Sequence, residues 1–185
     1  MSLRSLVALA GLAIVPAALA AQTRATPAPT PQVIVAHAAT LTWAPGPPSL
    51  PPGAEFVLLE GNPAEAVPLT FRLRFPANYR IPPHWHSVIE HVTVLAGTLN
   101  VGMGEVATYS GGTALNAGSF AAMPAKMVHS AWAGPEGVTF QLHSVGPWSI
   151  TYVKAADDPR TPKPAGNRWA ISPRSSPSSR PRSRA

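Results

Sequence analysis

Hydrophobic and polar side chains alternate strictly along Phe71-Arg72-Leu73-Arg74-Phe75. That period of two places Phe71, Leu73 and Phe75 on one face of a strand and the two arginines on the other. Similar short runs recur through the middle of the chain: EFVLLEG, VPLTFRLRF, HVTVLAGTLNVGMG, SFAAMP, VHSAWAG, VTFQLHSVG and SITYV. Glycines and prolines punctuate them every few residues, and helix signals are nearly absent. Many short strands separated by such turn residues predict an all-β sandwich or barrel. VLAGTLNV reads as two strands hinged near Gly97, where glycine tolerates the turn. In VTFQLHSVG, Gln141 and His143 share one face, and Val138, Phe140 and Leu142 share the other. Either the polar face lines the barrel and serves a ligand, or the apolar face is core.

Composition divides the 185 residues into four parts. Residues 1–20 carry one arginine, a run without charged or polar side chains, and the small-x-small ending Ala18-Leu19-Ala20. This is the pattern of a cleaved signal peptide, and the apolar run from Leu6 to Ala20 is shorter than the ~20 residues of a spanning helix. The mature protein is therefore expected to be exported, to a bacterial periplasm or beyond, without a membrane span. Residues 21–32 are a Pro/Ala/Thr-rich linker, 33–155 the folded domain, and 156–185 a Pro/Ser/Arg-rich tail expected to be disordered.

The formal charge of +6 is unevenly spread. Between Val33 and Val153 there are four basic and six acidic residues, whereas eight of the fourteen positive charges lie from Lys154 onward. A folded body that is slightly acidic argues against a nucleic-acid partner. The absence of cysteine excludes disulfides, thiolate ligands and a cysteine nucleophile. Any metal must be held by nitrogen and oxygen.

The densest chemistry lies in HWHSVIEH, residues 84–91, which holds three of the six histidines. His84 and His86 emerge on one face of an extended segment, with Cβ atoms roughly 7 Å apart, close enough to share one ion. A straight strand would carry Glu90 about 13 Å beyond His86. Glu90 joins them only if Ser87-Val88-Ile89 bends and Glu90 starts an adjacent strand. His91 should face the opposite side of the sheet, as a packing or surface residue. Pro82 and Pro83 restrict the approach to His84 and donate no ladder hydrogen bond. Trp43, Trp85, Trp132 and Trp148 read as packing residues.

These residues resemble the cupins. The first cupin motif is Gly, five residues, His-x-His, three or four residues, Glu, six residues, Gly. His84, His86, Glu90 and Gly97 match it, and Asn78 stands for the first glycine. The second motif is Gly, five residues, Pro-x-Gly, two residues, His, three residues, Asn. Gly118, Pro124 and His129 match, while Lys126 and Ala133 stand for the second glycine and the asparagine. Asn tolerates a left-handed backbone, so the first turn can survive; Lys126 is expected to tighten or reshape the second. The likeness covers roughly residues 40–160 and extends to small exported cupins and to the cupin half of ChrR-type zinc anti-sigma regulators. It implies a cupin-type double-stranded β-helix, or jelly-roll barrel. It further implies that His84, His86, Glu90 and His129 converge on one ion, and that the barrel forms a homodimer.

Three neutral imidazoles and one carboxylate suit a divalent transition-metal ion such as Mn, Fe, Ni, Co or Zn. An octahedral shell would leave two positions open for water, oxygen or substrate; tetrahedral zinc would leave none. No serine or lysine nucleophile with a partnered base is evident. The chain is thus expected to be a metal-dependent enzyme acting on a small molecule, of oxygenase, decarboxylase or isomerase type. The alternatives are a non-catalytic metal-dependent sensor or binding module, and a metal that only staples the barrel. Met123, Val92 and either Phe140 or its neighbours Gln141 and His143 are the expected wall of the ligand pocket. Acid should weaken metal binding, because protons compete for imidazoles of ordinary pKa, roughly 6.5.

Overall fold

The computed structural model describes residues 32–162; the expected signal peptide, residues 21–31 of the linker and the tail from residue 163 lie outside them. The expected all-β architecture is present. Nine strands form one curled sheet: β1 Ala44–Pro45, β2 Glu55–Glu60, β3 Pro68–Phe75, β4 Arg80–His86, β5 Glu90–Met103, β6 Thr113–Asn116, β7 Phe120–Met123, β8 His129–Val145 and β9 Ile150–Tyr152. Every pairing is antiparallel. Among the described residues no helix is long and apolar enough to cross a membrane.

Alternation along the strands builds the interior. On β3 the buried positions are Leu69, Phe71, Leu73 and Phe75, with Arg72 and Arg74 outside, as their spacing predicts. β5 turns Val92, Val94, Leu99 and Val101 inward, and β8 adds Val138, Phe140 and Leu142. Full burial of such side chains contributes roughly 1.5–3 kcal/mol each. Their inward placement settles the face of VTFQLHSVG: the apolar set is core, and Gln141 and His143 point outward.

Outside, those two residues sit in a hydrogen-bond row. Arg72 Nε donates to Gln141 Oε1 at 2.8 Å, Gln141 Nε2 lies 2.8 Å from His143 Nε2, and His143 Nδ1 lies 3.2 Å from the Thr70 hydroxyl. His91 is also on the outside, paired in register with His143 and stacked over Phe120.

The expected hinge at Gly97 is instead a kink within one long strand. β5 pairs with β8 from His91↔His143 to Met103↔His129, with register shifts on either side of Gly97. VHSAWAG and VTFQLHSVG are likewise joined in β8. Gly97 (φ 72°) and Gly137 (φ 79°) face each other at the kink, and a Cβ on Gly97 would lie 2.1 Å from the Gly137 carbonyl oxygen. Only hydrogen fits there, so the bulge bends both strands without breaking their ladder. β8 also pairs with β3 through its C-terminal half and with β4 through its N-terminal end. It carries one site residue itself and is the common neighbour of β4 and β5, the two strands that carry the others.

Both departures from the motif glycines keep the backbone that glycine would adopt: Asn78 has φ 59° and Lys126 φ 62°. The second turn is therefore preserved, and Lys126 N–H donates to the His86 carbonyl at 2.9 Å. A lysine in this conformation is strained by roughly 1–2 kcal/mol, partly offset by the greater unfolded-state freedom of glycine. Lys126→Gly should raise stability by about 0.5–1 kcal/mol, read as an upward shift of the urea midpoint. An unchanged or lower midpoint would show that the lysine side chain contributes packing that outweighs the strain.

Candidate metal centre

His84 and His86 end β4, Glu90 begins β5 and His129 begins β8. Residues 87–89 make the bend that brings Glu90 back. On β5, Glu90 belongs to the same inward series as Val92 and Val94. His84 and His129 are direct cross-strand partners. All four side chains are buried, none more than 6% exposed.

Each imidazole is oriented by a backbone carbonyl. His84 Nδ1–H donates to Pro82 O at 2.7 Å, His86 Nδ1–H to Ser149 O at 3.0 Å, and His129 Nδ1–H to Met127 O at 3.0 Å. A carbonyl can only accept, so the proton of each neutral ring resides on Nδ1 and the lone pair on Nε2. This arrangement fixes the tautomer that a metal requires. The histidine donor atoms lie within 4.8 Å of one another, forming a three-histidine group that can hold a metal ion. His86 Nε2 is buried and has no hydrogen-bond partner among the described residues, as expected of an atom reserved for an ion.

Glu90 Oε2 lies 3.4 Å from His86 Nε2 and 3.6 Å from His129 Nε2. Ligands on bonds of about 2.1 Å are separated by about 3.0 Å at a right angle and about 3.4 Å at the tetrahedral angle. The carboxylate stands at a ligand-like distance from those two rings, while the group that fits a divalent ion is the three histidines, with Glu90 beside two of its members.

Burial sets the protonation of the group. Desolvation lowers His86 to about 4 and lowers His84 and His129 as well; the neighbouring histidines add to the lowering at His84, and the Glu90 charge opposes it at His129. Desolvation pushes Glu90 up to about 7, with His129 pulling the other way. At neutral pH the imidazoles are thus neutral donors, and the last proton in the cluster belongs to the carboxyl group.

The space around the cluster is about 30 Å³, bounded elsewhere by apolar side chains that include Val92, Met123 and Phe140. A single water needs about 10–15 Å³ on this measure, so there is room for an ion with one or two small ligands. A larger hollow of about 520 Å³ near the Gly97–Gly137 kink contains none of the histidines, and its Arg74 and Glu55 pair with each other at 3.1 Å.

Trp148, in the β8–β9 connection, takes a part that its sequence context does not reveal. Its ring stacks on His86 at 4.7 Å and 21°, and meets Phe71 edge-on at 5.4 Å. Two further tryptophans pack away from the site, Trp43 beneath the Arg74 guanidinium at 4.1 Å and Trp132 against Tyr109.

No curated protein matches the chain in sequence. Among solved structures it is similar to an acetylacetone dioxygenase from Acinetobacter johnsonii, at 18% identity and a TM-score of 0.54, covering 72% of this chain and 85% of the other. It is also similar to the polyketide cyclase RemF from Streptomyces resistomycificus, at 16% identity and a TM-score of 0.55, covering 69% and 90%. At these identities the likeness is one of fold. The sequence profile of the ChrR cupin-like domain matches residues 31–149, which include both histidine motifs and the strands that carry them. The chain belongs to the ChrR cupin-like domain family.

Proposed function

We propose that His84, His86, Glu90 and His129 hold one divalent transition-metal ion, drawn from Mn, Fe, Ni, Co and Zn, in an exported protein that uses it to transform a small molecule. The observation that carries this reading is the set of three carbonyl-oriented imidazoles gathered in one small cavity, two of which, His86 and His129, lie within 3.6 Å of the buried Glu90 carboxylate. When bound, such an ion supplies Lewis acidity and, for iron or manganese, access to redox chemistry.

The chain's own residues do the rest. The carbonyls of Pro82, Met127 and Ser149 keep the donor atoms aimed, and the apolar wall excludes bulk water. Glu90 is the group able to exchange a proton near neutrality, or to shift between binding modes. Oxygenation, decarboxylation and isomerisation are the reaction types considered. The dioxygenase and the cyclase that share the fold act as their names state; for this chain those activities are candidates alone.

A second reading, a binding module without turnover, draws on the tightness of the cavity, since about 30 Å³ admits little beyond water or oxygen. Export rests on the composition of residues 1–20. One experiment addresses both questions. The protein is purified from the periplasmic fraction, its intact mass and metal are determined, and the iron and manganese forms are followed for oxygen uptake and product mass with small organic substrates. Turnover that disappears in a folded Glu90→Gln protein supports the enzyme. Ligands that raise the melting temperature of the metal-loaded protein without product favour the module. A mass that retains residues 1–20 removes the export proposal.

A further inference from the structure

A second chamber of about 350 Å³ adjoins the metal cavity, and Leu50, Leu73, Trp148 and Ile150 line both. The inner space accepts nothing larger than water-sized ligands, whereas the outer one has the size of a small-molecule pocket. Its far wall is aromatic: Phe56 lies against Phe71 at 5.3 Å, Phe71 meets Trp148 edge-on, and Trp148 stacks on His86. One continuous series of rings thus leads from the chamber to a candidate metal ligand.

The chamber's polarity restricts its occupant. Among the described residues its only charged lining side chain is Arg160, which is already engaged. Its Nε and Nη2 donate to the two Asp158 carboxylate oxygens at 2.8 and 2.7 Å, and Nη2 also reaches the Ile150 carbonyl at 3.1 Å. No free cation remains to receive a carboxylate. The carbonyls of Ser49 and Ser149 are occupied by the Tyr152 hydroxyl and by His86. Of its buried side-chain donors, Trp148 Nε1–H has no partner among the described residues. An indole N–H can only donate, so its missing partner is an acceptor oxygen or nitrogen.

We propose that this chamber binds the ring of an uncharged, oxygen-bearing monocyclic aromatic molecule, of the phenol class, with Trp148 as the specificity-determining partition between the ring and the metal cavity. The ring packs among Phe56, Phe71 and the adjoining prolines and leucines. Its oxygen accepts from Trp148 Nε1–H, the unpartnered donor of the indole that lines both spaces. The orientation toward an ion rests on the proposed metal site; the preference for an uncharged ring does not.

The test is calorimetric titration of full-length protein, zinc-loaded and metal-free, with phenol and 4-methylphenol, and with benzoate, succinate and glucose as comparators. The phenols should bind at least tenfold more tightly than benzoate, and succinate and glucose should give no heat. Phe56→Ala, which alters only the outer chamber, should weaken phenol binding roughly tenfold. Trp148→Phe keeps a ring and removes the N–H, and should weaken it several-fold, with zinc content unchanged in both variants. Benzoate binding as well as phenol, or phenol affinity unmoved by Phe56→Ala in a folded protein, would overturn the proposal. A wild-type protein that takes up no zinc but binds phenol with these dependences sinks the metal reading and leaves the chamber assignment standing.

Discussion

Replacing His86 by alanine should lower the affinity for a divalent ion at least tenfold while leaving a folded barrel. Loss of an outer partner of a metal ligand already costs 10–100-fold in comparable sites, and here a ligand itself is removed. The equivalent changes at His84 and His129 should act in the same direction, because each ring is buried and aimed by its own carbonyl. His91→Ala and His143→Ala are the internal controls: both residues lie on the outer face, so the metal content of these variants should equal that of the unaltered protein. The measurement is metal per chain after dialysis against a competing chelator, with circular dichroism to verify the fold. Full metal content in a folded His86→Ala protein ends the assignment.

Metal affinity should fall about tenfold for each pH unit below 7, with a slope of one proton, and Glu90→Gln should abolish that slope. The sequence alone points to imidazoles of ordinary pKa as the competitors. The structure moves the competition to the carboxyl group, since desolvation holds His86 down to about 4 while Glu90 is raised to about 7. Below pH 7 an entering ion must therefore displace the Glu90 proton.

The metal-free protein should show the same balance in its stability. The histidines, lowered in the folded state, contribute stability that is complete above their ordinary 6.5 and lost as the pH falls. Glu90, raised from its ordinary 4.5 to about 7, contributes stability that is complete below 4.5 and lost as the pH rises to 7. With three groups set against one, metal-free stability should rise with pH up to about 7 and level off above it, and a metal should raise that plateau by stabilising the carboxylate. Isothermal titration across pH 5–8 checks the first statement and urea midpoints of the metal-free form check the second. A slope near two or three would return the competition to the imidazoles.

Much of this was legible in the order of residues. Strict alternation in Phe71–Phe75 identifies both faces of β3, because a strand that buries one side repeats every second residue. The resemblance of His84–Gly97 and Gly118–His129 to the two cupin motifs points to the turns and to the cluster, which strand geometry alone extends no further than the pair His84 and His86. What the spacing conceals is the length of β5 and β8. A glycine within a strand reads equally as a turn or as a bulge, and only the opposing Gly137 makes the kink at Gly97 compatible with a continuous ladder. The outward direction of Gln141 and His143 depends on which face of β8 meets the core, a matter of tertiary packing that alternation leaves open. Trp148 sits in a connection between strands, where no periodicity announces that its ring will cover His86. Nor can a sequence state how deeply a carboxyl group is buried, on which the identity of the titrating group depends.

A single strand, β8, carries His129 at one end and Val138, Phe140 and Leu142 at the other. Side chains on a strand alternate, so a slip of one residue in its pairing would turn the histidine and the apolar set outward together. A barrel assembled in the wrong register would lose its interior and its ion-binding pocket in the same error. Metal retention, on the proposed ligand set, is then a form of proofreading: a molecule that holds its ion has paired its longest strand correctly.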